Sequence, residues 1–384
     1  MPTIGDPNAT HPPSIGAVDN AVLLANLPNL TPPHFLAPVI SFATSHSRKR
    51  LVIVLFSRHF NVQHPQLGSL VSAPATISLQ KLTYPENQAL SHTQSWDAVQ
   101  RILTFAYVQA ARVAQEMNKV TMDIDVLLKG LNEDLDAGLG TGSDLCFRVS
   151  GDSMAVPLPA SVSSLRQCYI PPGDRHPESV PTMPGTPSPN DAHKLPSQFP
   201  VTALGGTFDH LHSGHKILLS MAAYITSKKL IVGITDDVLL KSKTNQHVLE
   251  KLPLRTERVR AFLNFIKPSI IPDIVPITDV YGPTGWDPNI QALVVSKETL
   301  DGAEAIAKHR AEHKLPKLET FLIDVISSTQ ASLDSEDAAW LKKHKLSSTY
   351  IRQWIVDNSK QEDEAARVAG EMGVGGDEQP ASKN

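Results

Sequence analysis

The chain has 384 residues, and at about 150 residues per domain this length predicts two domains with linkers. Hydrophobic residues make up 41% of the chain, enough for packed cores, so a wholly disordered protein is excluded. The 35 basic and 39 acidic residues give a formal net charge of −4, which excludes the broad basic field that nucleic-acid binding needs. The two cysteines, Cys146 and Cys168, exclude a disulfide scaffold and a four-thiolate zinc site.

The sequence carries no feature typical of membrane insertion or export. Its longest conspicuous apolar run, Leu51–Phe56, is far too short to cross a bilayer, so we expect no membrane span. No lysine or arginine precedes Arg48, which argues against a secretory signal and an arginine-rich transit peptide. We therefore expect a soluble protein of the cytoplasm. Arg48-Lys49-Arg50 could also act as a nuclear signal, although such short basic runs are more often simply solvated.

Proline content predicts the domain boundaries. Nine of the 30 prolines cluster in the middle of the chain among Ser, Thr, Gly and Asp, and we expect a proline-rich linker over residues 171–196. The proline-containing segment 1–44 is expected to be flexible, and the acidic tail 360–384 to be disordered. Between these segments lie an N-terminal α/β domain of unknown role, residues 45–170, and a second domain, residues 197–359.

The predicted N-terminal domain contains α/β elements without a recognisable chemical motif. Leu51–Phe56 is predicted to be a buried strand, and Thr76–Tyr84 and Val120–Leu128 are predicted to be alternating strands. Ser95–Met117 carries an apolar stripe at helical spacing. Gly138–Gly142 superficially resembles a phosphate loop, but it follows acidic residues and lacks the Lys-Ser/Thr of such loops, so we interpret it as a plain turn.

In the second domain, predicted strands alternate with predicted helices. The strands are Val201–Phe208, Leu230–Ile234, Ile270–Ile277, Ala292–Ser296 and Thr320–Ile326. The helices are Gly214–Ser227, Leu254–Ile266, Gly302–Glu312 and Ser347–Val356. This alternation predicts a doubly wound parallel sheet, whose ligands bind beyond the carboxyl ends of the strands. Because every motif lies beyond the linker, we expect residues from about 195 to 360 to fold and act alone.

The loop after the first of these strands, Gly205–His215, has the features of a phosphate site. Its two leading glycines let the backbone turn tightly and approach a ligand. The loop then enters a helix, whose first N–H groups attract anions, and His212 and His215 flank that helix start. The alternative is a zinc site that also uses His210. It is disfavoured because the histidine spacing is wrong and no carboxylate or thiolate completes the ligand set.

Two motifs carry a resemblance to a known family. Gly205-Gly-Thr-Phe-Asp-His-Leu-His-Ser-Gly-His215 resembles the Gly-Thr-Phe-Asp…His-x-Gly-His signature of the nucleotidyltransferase superfamily. Leu346-Ser-Ser-Thr-Tyr-Ile-Arg352 resembles the superfamily's Ile-Ser-Ser-Thr-x-x-Arg element. The span 197–357 is similar to eukaryotic-type phosphopantetheine adenylyltransferases. The resemblance implies a Rossmann-like fold and transfer of the adenylyl group of ATP to 4′-phosphopantetheine, giving dephospho-coenzyme A and pyrophosphate in coenzyme A biosynthesis.

The resemblance also implies the site residues. His215, Thr207 and a loop lysine, either Lys241 or Lys243, would be catalytic. Residues expected to bind ATP phosphates or to shape their site are Gly205, Gly206, Phe208, His212, Gly214, Lys297, Ser347, Ser348, Thr349 and Arg352. One departure concerns the Arg-x-x-Arg pair of bacterial relatives, because Lys297 occupies its first position and Leu300 its second. Lysine supplies charge without the bidentate geometry of arginine.

Other interpretations of the same residues stay open. Ser347–Thr349 could be an ordinary helix N-cap, and Arg255, Glu257 and Arg258 are interpreted as a solvated or salt-bridged helix face. Mg²⁺ is expected to arrive with ATP and to be held mainly by phosphate oxygens, with no metal site formed by the protein itself. Expected partners are ATP, 4′-phosphopantetheine and other enzymes of the coenzyme A pathway. The alternatives are a cytidylyltransferase, a nicotinamide-mononucleotide adenylyltransferase and a non-catalytic scaffold.

Overall fold

The computed structural model describes residues 3–4, 7–8, 10–62, 91–154, 156–174, 195–323 and 347–373, and its strands form two parallel sheets. The first sheet has six strands: β1 (Thr3–Ile4), β2 (Val18–Asn26), β3 (Ser47–Phe56), β4 (Asp123–Lys129), β5 (Leu145–Val149) and β6 (Arg166–Ile170). Their spatial order is β1-β6-β5-β2-β3-β4. Three helices accompany this sheet: α1 (Ala37–Ser45), α2 (Trp96–Glu116) and α3 (Ala160–Ser163). The sheet and its helices are called the first unit.

The first unit begins earlier than the sequence predicted. The expectation that residues 1–44 are flexible is wrong for β2 and α1, because β2 lies in the centre of the sheet with Val22, Leu23 and Leu24 fully buried. Parallel strands covered on both faces consist of continuous apolar runs of this kind. The prolines misled the prediction, since Pro38 lies in the first turn of α1, where proline favours a helix start.

The other predictions for the first unit divide into three groups. The predicted strand Leu51–Phe56 and helix Ser95–Met117 are confirmed as β3 and α2, and the strand predicted within 120–128 is β4. Strands β5 and β6 were not predicted. The predicted strand Thr76–Tyr84 and most of the predicted linker lie outside the described residues.

The second sheet forms the second unit. Its strands are β7 (Phe199–Gly206), β8 (Thr226–Thr235), β9 (Ile271–Ile277), β10 (Ala292–Ser296) and β11 (Glu319–Ile323), in the order β11-β10-β7-β8-β9. Its helices are α4 (Ser213–Tyr224), α5 (Leu252–Ile266), α6 (Leu300–Glu312) and α7 (Ser348–Gly373). The predicted doubly wound parallel sheet is therefore confirmed. The strand order reverses between β7 and β10, and ligands of such sheets bind at this point.

Two helix ends differ from the prediction. The helix predicted to reach Ser227 ends at Tyr224, and Thr226 already pairs with Phe199 as the first residue of β8. The last helix was predicted to end at Val356 before a disordered tail, but α7 continues to Gly373. Residues 361–373 are rich in Ala and Glu, which favour helices. In the described part of the chain, no helix is both long and apolar enough to cross a membrane.

The two units repeat the same topology. Without β1, the first sheet has the order β6-β5-β2-β3-β4, which matches β11-β10-β7-β8-β9 strand for strand. In each sheet, the pairing of two strands, β2 with β3 and β7 with β8, shifts register at the corresponding point. It lies between Val18 and Asn20 in the first unit and between Phe199 and Val201 in the second.

A lysine occupies a corresponding position in each repeat. Lys119, shortly after α2, donates a hydrogen bond from Nζ to the carbonyl oxygen of Ser47 at 2.9 Å. Lys267, directly after α5, donates from Nζ to the carbonyl oxygen of Thr226 at 2.8 Å. Ser47 and Thr226 are the first residues of β3 and β8. Both lysines therefore satisfy carbonyl groups where a helix, α1 or α4, gives way to the strand that follows it.

The two units pack against each other through α2 and α4. The Trp96 ring at the start of α2 lies 4.9 Å from the ring of Phe321 in β11. The Ser95 hydroxyl forms a 2.8 Å hydrogen bond with the phenol of Tyr224 at the end of α4. One continuous hydrophobic core includes buried residues of both units. The units are thus distinct in topology but joined by a packed interface.

Candidate functional site

A cavity of about 860 Å³ opens at the carboxyl ends of β7 and β10, where the strand order reverses. This volume lies within the range of small-molecule sites. Its lining includes all the predicted site residues except Phe208 and Lys241: Gly205, Gly206, Thr207, His212, Gly214, His215, Lys243, Lys297, Ser347, Ser348, Thr349 and Arg352. The fold thus brings together residues that lie far apart in the sequence.

The loop that follows β7 is shaped by Gly206 and Phe208. A Cβ atom on Gly206 would lie 3.0 Å from the Phe208 ring, so a larger residue at this position would require the ring to shift. Phe208 adopts φ +53° and is fully buried. The Phe208 ring lies 5.2 Å from the ring of His215, and Phe208 does not line the cavity, so its expected part in phosphate binding stays a prediction.

The two motif histidines lie side by side at the start of α4. His212 is the N-cap residue, and its ring stacks on that of His215 at 3.8 Å between centroids. The Nδ1 atoms of both rings are buried and have no hydrogen-bond partner among the described residues. Burial lowers the pKa of His212 to about 3, helped by the charges of His210 and Lys216. Burial also holds the pKa of His215 well below its ordinary value. Both imidazoles are therefore neutral at pH 7, and each can donate one N–H.

The far motif closes the cavity by placing the N-terminus of α7 beside the first loop. Ser347 caps this helix by accepting a 3.3 Å hydrogen bond from the backbone N–H of Tyr350. The Ser348 hydroxyl donates to the carbonyl oxygen of Asp209 at 2.8 Å. The N-cap interpretation and a position at the cavity therefore hold together, and a second helix N-terminus faces the same space.

Arg352 has a structural role that differs from the expected phosphate contact. Its side chain is almost fully buried, and Nη1 donates to the carboxylate of Asp209 at 2.6 Å. Its Nε donates to the carbonyl oxygen of Thr244 at 2.8 Å. The ion pair joins α7 to the loop after β7. Arg352 lines the cavity, but its guanidinium is engaged by the protein, and a phosphate contact by this residue stays a prediction.

Arg255 is the principal residue that the sequence interpretation missed. It is fully buried in α5 and forms an ion pair with Asp237, so the solvated interpretation is wrong for this residue and the salt-bridged one is confirmed. Its Nη1 donates to the carbonyl oxygen of Thr207 at 2.6 Å, and Nη2 donates to Asp237 Oδ1 at 2.6 Å. Arg255 therefore braces the loop that carries Thr207. Its helical spacing could have revealed it, because Val259 and Phe262, four and seven residues on, form the buried face of α5.

The cations at the cavity come from two loops. Lys243, after β8, lines the cavity, whereas Lys241 does not. Lys297 directly follows β10 and lines the cavity on the opposite side. Arg258, in contrast, forms a 2.9 Å ion pair with Glu250 and agrees with the predicted salt-bridged face. The geometry thus favours Lys243 over Lys241 as the loop lysine, a choice that the sequence left open.

Asp209, His210 and Glu250 form a cluster whose ligand atoms lie within 4.8 Å of one another. The protein itself uses these atoms. Asp209 binds Arg352 and accepts from the Glu250 backbone N–H at 2.9 Å. One ring nitrogen of His210 lies 2.8 Å from the carbonyl oxygen of Val248. These contacts describe a network that braces the loop after β7.

Comparisons with known proteins show similarity to nucleotidyltransferases. The model of the cytidylyltransferase-like family matches residues 203–354. The phosphopantetheine adenylyltransferase of Saccharomyces cerevisiae is 45% identical over 167 residues, 44% of this chain and 51% of that protein. An uncharacterized protein of Schizosaccharomyces pombe is 44% identical over 153 residues, 40% of this chain and 47% of that protein. The phosphopantetheine adenylyltransferase of Pyrobaculum aerophilum is 35% identical over 156 residues, 41% of this chain and 92% of that protein. The chain thus spans about half the length of the two fungal relatives it matches.

Proposed function

The chain belongs to the phosphopantetheine adenylyltransferase family, and on this premise we propose that it transfers the adenylyl group of ATP to 4′-phosphopantetheine. The observation that carries the proposal is the pair of buried, neutral imidazoles of His212 and His215. Both residues line a cavity that two helix N-termini also border, and their buried Nδ1 atoms have no hydrogen-bond partner among the described residues. Such a cavity suits a polyphosphate, because neutral donors and helix N-termini bind anions without a proton transfer.

The proposed reaction needs no protein nucleophile. A terminal phosphate oxygen of 4′-phosphopantetheine attacks the α-phosphorus of ATP and forms the new P–O bond. The bond from the α-phosphorus to the oxygen bridging to the β-phosphate breaks, and pyrophosphate leaves. The products are dephospho-coenzyme A and pyrophosphate. Catalysis then rests on positioning and on stabilising the charge that spreads over the phosphate oxygens.

Residues of the second unit supply this stabilisation in the proposal. His215 donates an N–H to a phosphate oxygen as its charge increases in the transition state, and His212 holds a neighbouring oxygen. The N-terminus of α7, with Ser347 and Ser348, holds the phosphates that leave. Lys243 and Lys297 supply positive charge from opposite sides of the cavity.

Mg²⁺ is part of the proposal as the companion of ATP, where it would screen the charge of the phosphates. The cavity fits this arrangement, because its lining includes two carboxylates, Asp279 and Glu298, in addition to the cations. Mg²⁺ commonly uses one or two carboxylates together with substrate phosphates. A cytoplasmic location also belongs to the proposal, as do contacts with other enzymes of coenzyme A synthesis, which rest on the family resemblance.

A direct assay tests the proposed function. The full chain is incubated with ATP, Mg²⁺ and 4′-phosphopantetheine, and both pyrophosphate and dephospho-coenzyme A are measured. Parallel reactions replace ATP by CTP, or 4′-phosphopantetheine by nicotinamide mononucleotide. We expect the two products in equal amounts, and a kcat/KM for ATP at least about tenfold above that for CTP. A preference for CTP, or product formation only with nicotinamide mononucleotide, would contradict the proposal.

A further inference from the structure

A buried ion pair connects the first unit to the catalytic motif. Lys216, the residue after His215, extends its side chain out of the second unit and is only 4% exposed. Its Nζ donates to Asp125 Oδ1 at 2.7 Å, to Asp123 Oδ1 at 2.5 Å and to the carbonyl oxygen of Ile124 at 2.8 Å. All three acceptors belong to the start of β4 in the first unit. The ammonium group therefore finds partners for its three protons in the other unit.

Both charges of the pair are stabilised by each other. Burial opposes ionisation of Lys216, but attraction by Asp125 and Asp123 outweighs it and raises the pKa of the lysine. Burial likewise opposes ionisation of Asp125, while Lys216 and Arg50 lower its pKa. Arg50 Nη2 donates to the second oxygen of Asp125 at 2.8 Å, so β3 fixes the carboxylate that receives Lys216. A buried charge without such partners destabilises the fold, so Lys216 and Asp125 depend on each other.

Lys216 also belongs to the first turn of α4. Its backbone N–H donates to the carbonyl oxygen of His212 at 3.0 Å, which is the first hydrogen bond of this helix. A second cavity, of about 550 Å³, opens beside the pair between the units, and His212 lines both cavities. His212 therefore connects the interface to the phosphate site.

We propose that Asp125, assisted by Asp123, is a positioning residue for adenylyl transfer. The inference rests on the proposed function. Through Lys216, the first unit fixes the start of α4 and holds the stacked rings of His212 and His215 against the cavity. Neither aspartate touches the substrates in this proposal. Their effect is on the geometry of the histidines, to which transition-state stabilisation is sensitive.

The test compares Asp125→Asn with a matched control in the full chain. The control is Asp19→Asn, which removes an aspartate of the same unit that pairs with Arg48 and Lys49 away from the interface. Steady-state constants are measured well below the unfolding temperature of each variant. Hydrogen exchange is followed in peptides covering residues 207–224. The exchange measurement needs no catalytic activity.

A positioning role predicts a specific pattern. Asp125→Asn should lower kcat about 10- to 100-fold, change the KM for ATP less than about threefold, and speed exchange at the start of α4. Asp19→Asn should leave kcat and exchange unchanged. Wild-type kcat together with wild-type exchange in Asp125→Asn would overturn the inference. Should Asp125→Asn fail to fold, Asp123→Asn decides in the same way with a smaller drop in kcat, because this carboxylate is half exposed.

A double variant separates positioning from stability. Asp125→Asn with Lys216→Met removes both charges, so we expect the melting temperature to recover while kcat stays low. Recovery of both would show that the pair only stabilises the interface and would overturn the inference. A wild-type protein inactive with 4′-phosphopantetheine would instead contradict the proposed function, and the exchange comparison would still decide the positioning role.

Discussion

The carboxyl ends of β2 and β7 are equivalent positions in the two repeats, but they differ in the space that they leave for a ligand. The strand pairing places Leu24 of the first unit at the position of Gly205 in the second. Leu24 is fully buried, whereas Gly205 lies at the wall of the large cavity. A leucine side chain closes the space that a glycine leaves open to a ligand.

The helices that follow show the same contrast. Ser47 and Thr226 begin equivalent strands, and each hydroxyl donates to a carbonyl oxygen four residues earlier, in α1 and α4 respectively. Counting back from these residues, Pro33 and Leu36 occupy the positions of His212 and His215. The two repeats therefore share a scaffold but not its chemistry. A fold supports a function only where the site residues are present.

Removal of the first unit should have the largest effect. In contrast to the expectation from the sequence, we expect a fragment of residues 195–384 to lose measurable adenylyl transfer. The fragment loses the packing around Trp96 and the partners of Lys216. In the fragment Lys216 is solvated and no longer held by the start of β4, and the apolar surface of α4 that α2 covers in the full chain is exposed to water, which destabilises the fold.

Circular dichroism and the pyrophosphate assay check this prediction, with the full chain as the control. The archaeal relative makes the outcome informative, because the 156 matched residues already cover 92% of that protein. A folded fragment with more than about a tenth of the full-chain kcat would show that the repeats are independent and that the interface adds little.

The second-largest effect is expected from substituting the motif histidine His215, which should lower kcat, whereas a matching substitution in the first unit should not. We expect His215→Ala to lower kcat about 10²- to 10³-fold, because it removes a donor to the transition-state charge. His34→Ala alters the corresponding loop of the first unit and should leave kcat unchanged. Stopped-flow or steady-state kinetics with ATP titration give the comparison. A near-normal kcat in His215→Ala together with lost ATP binding would assign the residue to ground-state binding instead.

The two loop lysines offer a smaller, matched comparison within the second unit. Lys243 lines the cavity and Lys241 does not. We expect Lys243→Ala to lower kcat/KM about 10- to 100-fold, the range for losing a hydrogen bond to a charged group. Lys241→Ala should change it less than about twofold. The reverse order would identify Lys241 as the loop lysine and would require the loop to move on binding ATP.

The sequence predicted the second unit well and the first unit poorly, for physical reasons. Strands such as Ala292–Ser296 were located from apolar periodicity, which burial in a parallel sheet imposes directly. The glycines and histidines of the loop were found because few side chains serve a helix N-terminus that binds anions. In the first unit, β2 and α1 were hidden by flanking prolines, although a proline in the first turn favours a helix.

The partners of residues that act by tertiary contact were beyond such patterns. Arg255 and Lys216 are charged, and charged side chains are expected at the surface unless a partner is known. The partners are an aspartate and carbonyl oxygens for Arg255, and two aspartates more than 90 residues away for Lys216. The packing of the units brings Lys216 to its partners, and the folding of the second unit brings Arg255 to its own. The sequence therefore revealed the groups that contact a ligand more readily than those that hold them in place.

The smallest expected effect is on the pH dependence of stability, and it should differ between the two corresponding lysines, Lys119 and Lys267. Burial lowers the pKa of Lys267 to about 8, and burial also lowers the pKa of Lys119. An unfolded lysine has a pKa of about 10.4. Between pH 8 and 10.4 the unfolded state therefore binds more protons at residue 267 than the folded state does, and stability rises with pH. Below pH 8 the folded protein carries the full cost of a buried ammonium group, and above 10.4 the cost is gone.

We expect the free energy of unfolding to rise by about 1–2 kcal/mol more in the wild type than in Lys267→Met between pH 7.5 and 10. Urea unfolding at both pH values measures this difference, and Lys119→Met should follow the wild type more closely. Parallel curves for the wild type and Lys267→Met would show that its carbonyl partners keep Lys267 charged throughout, and the two repeats would then treat their lysines alike.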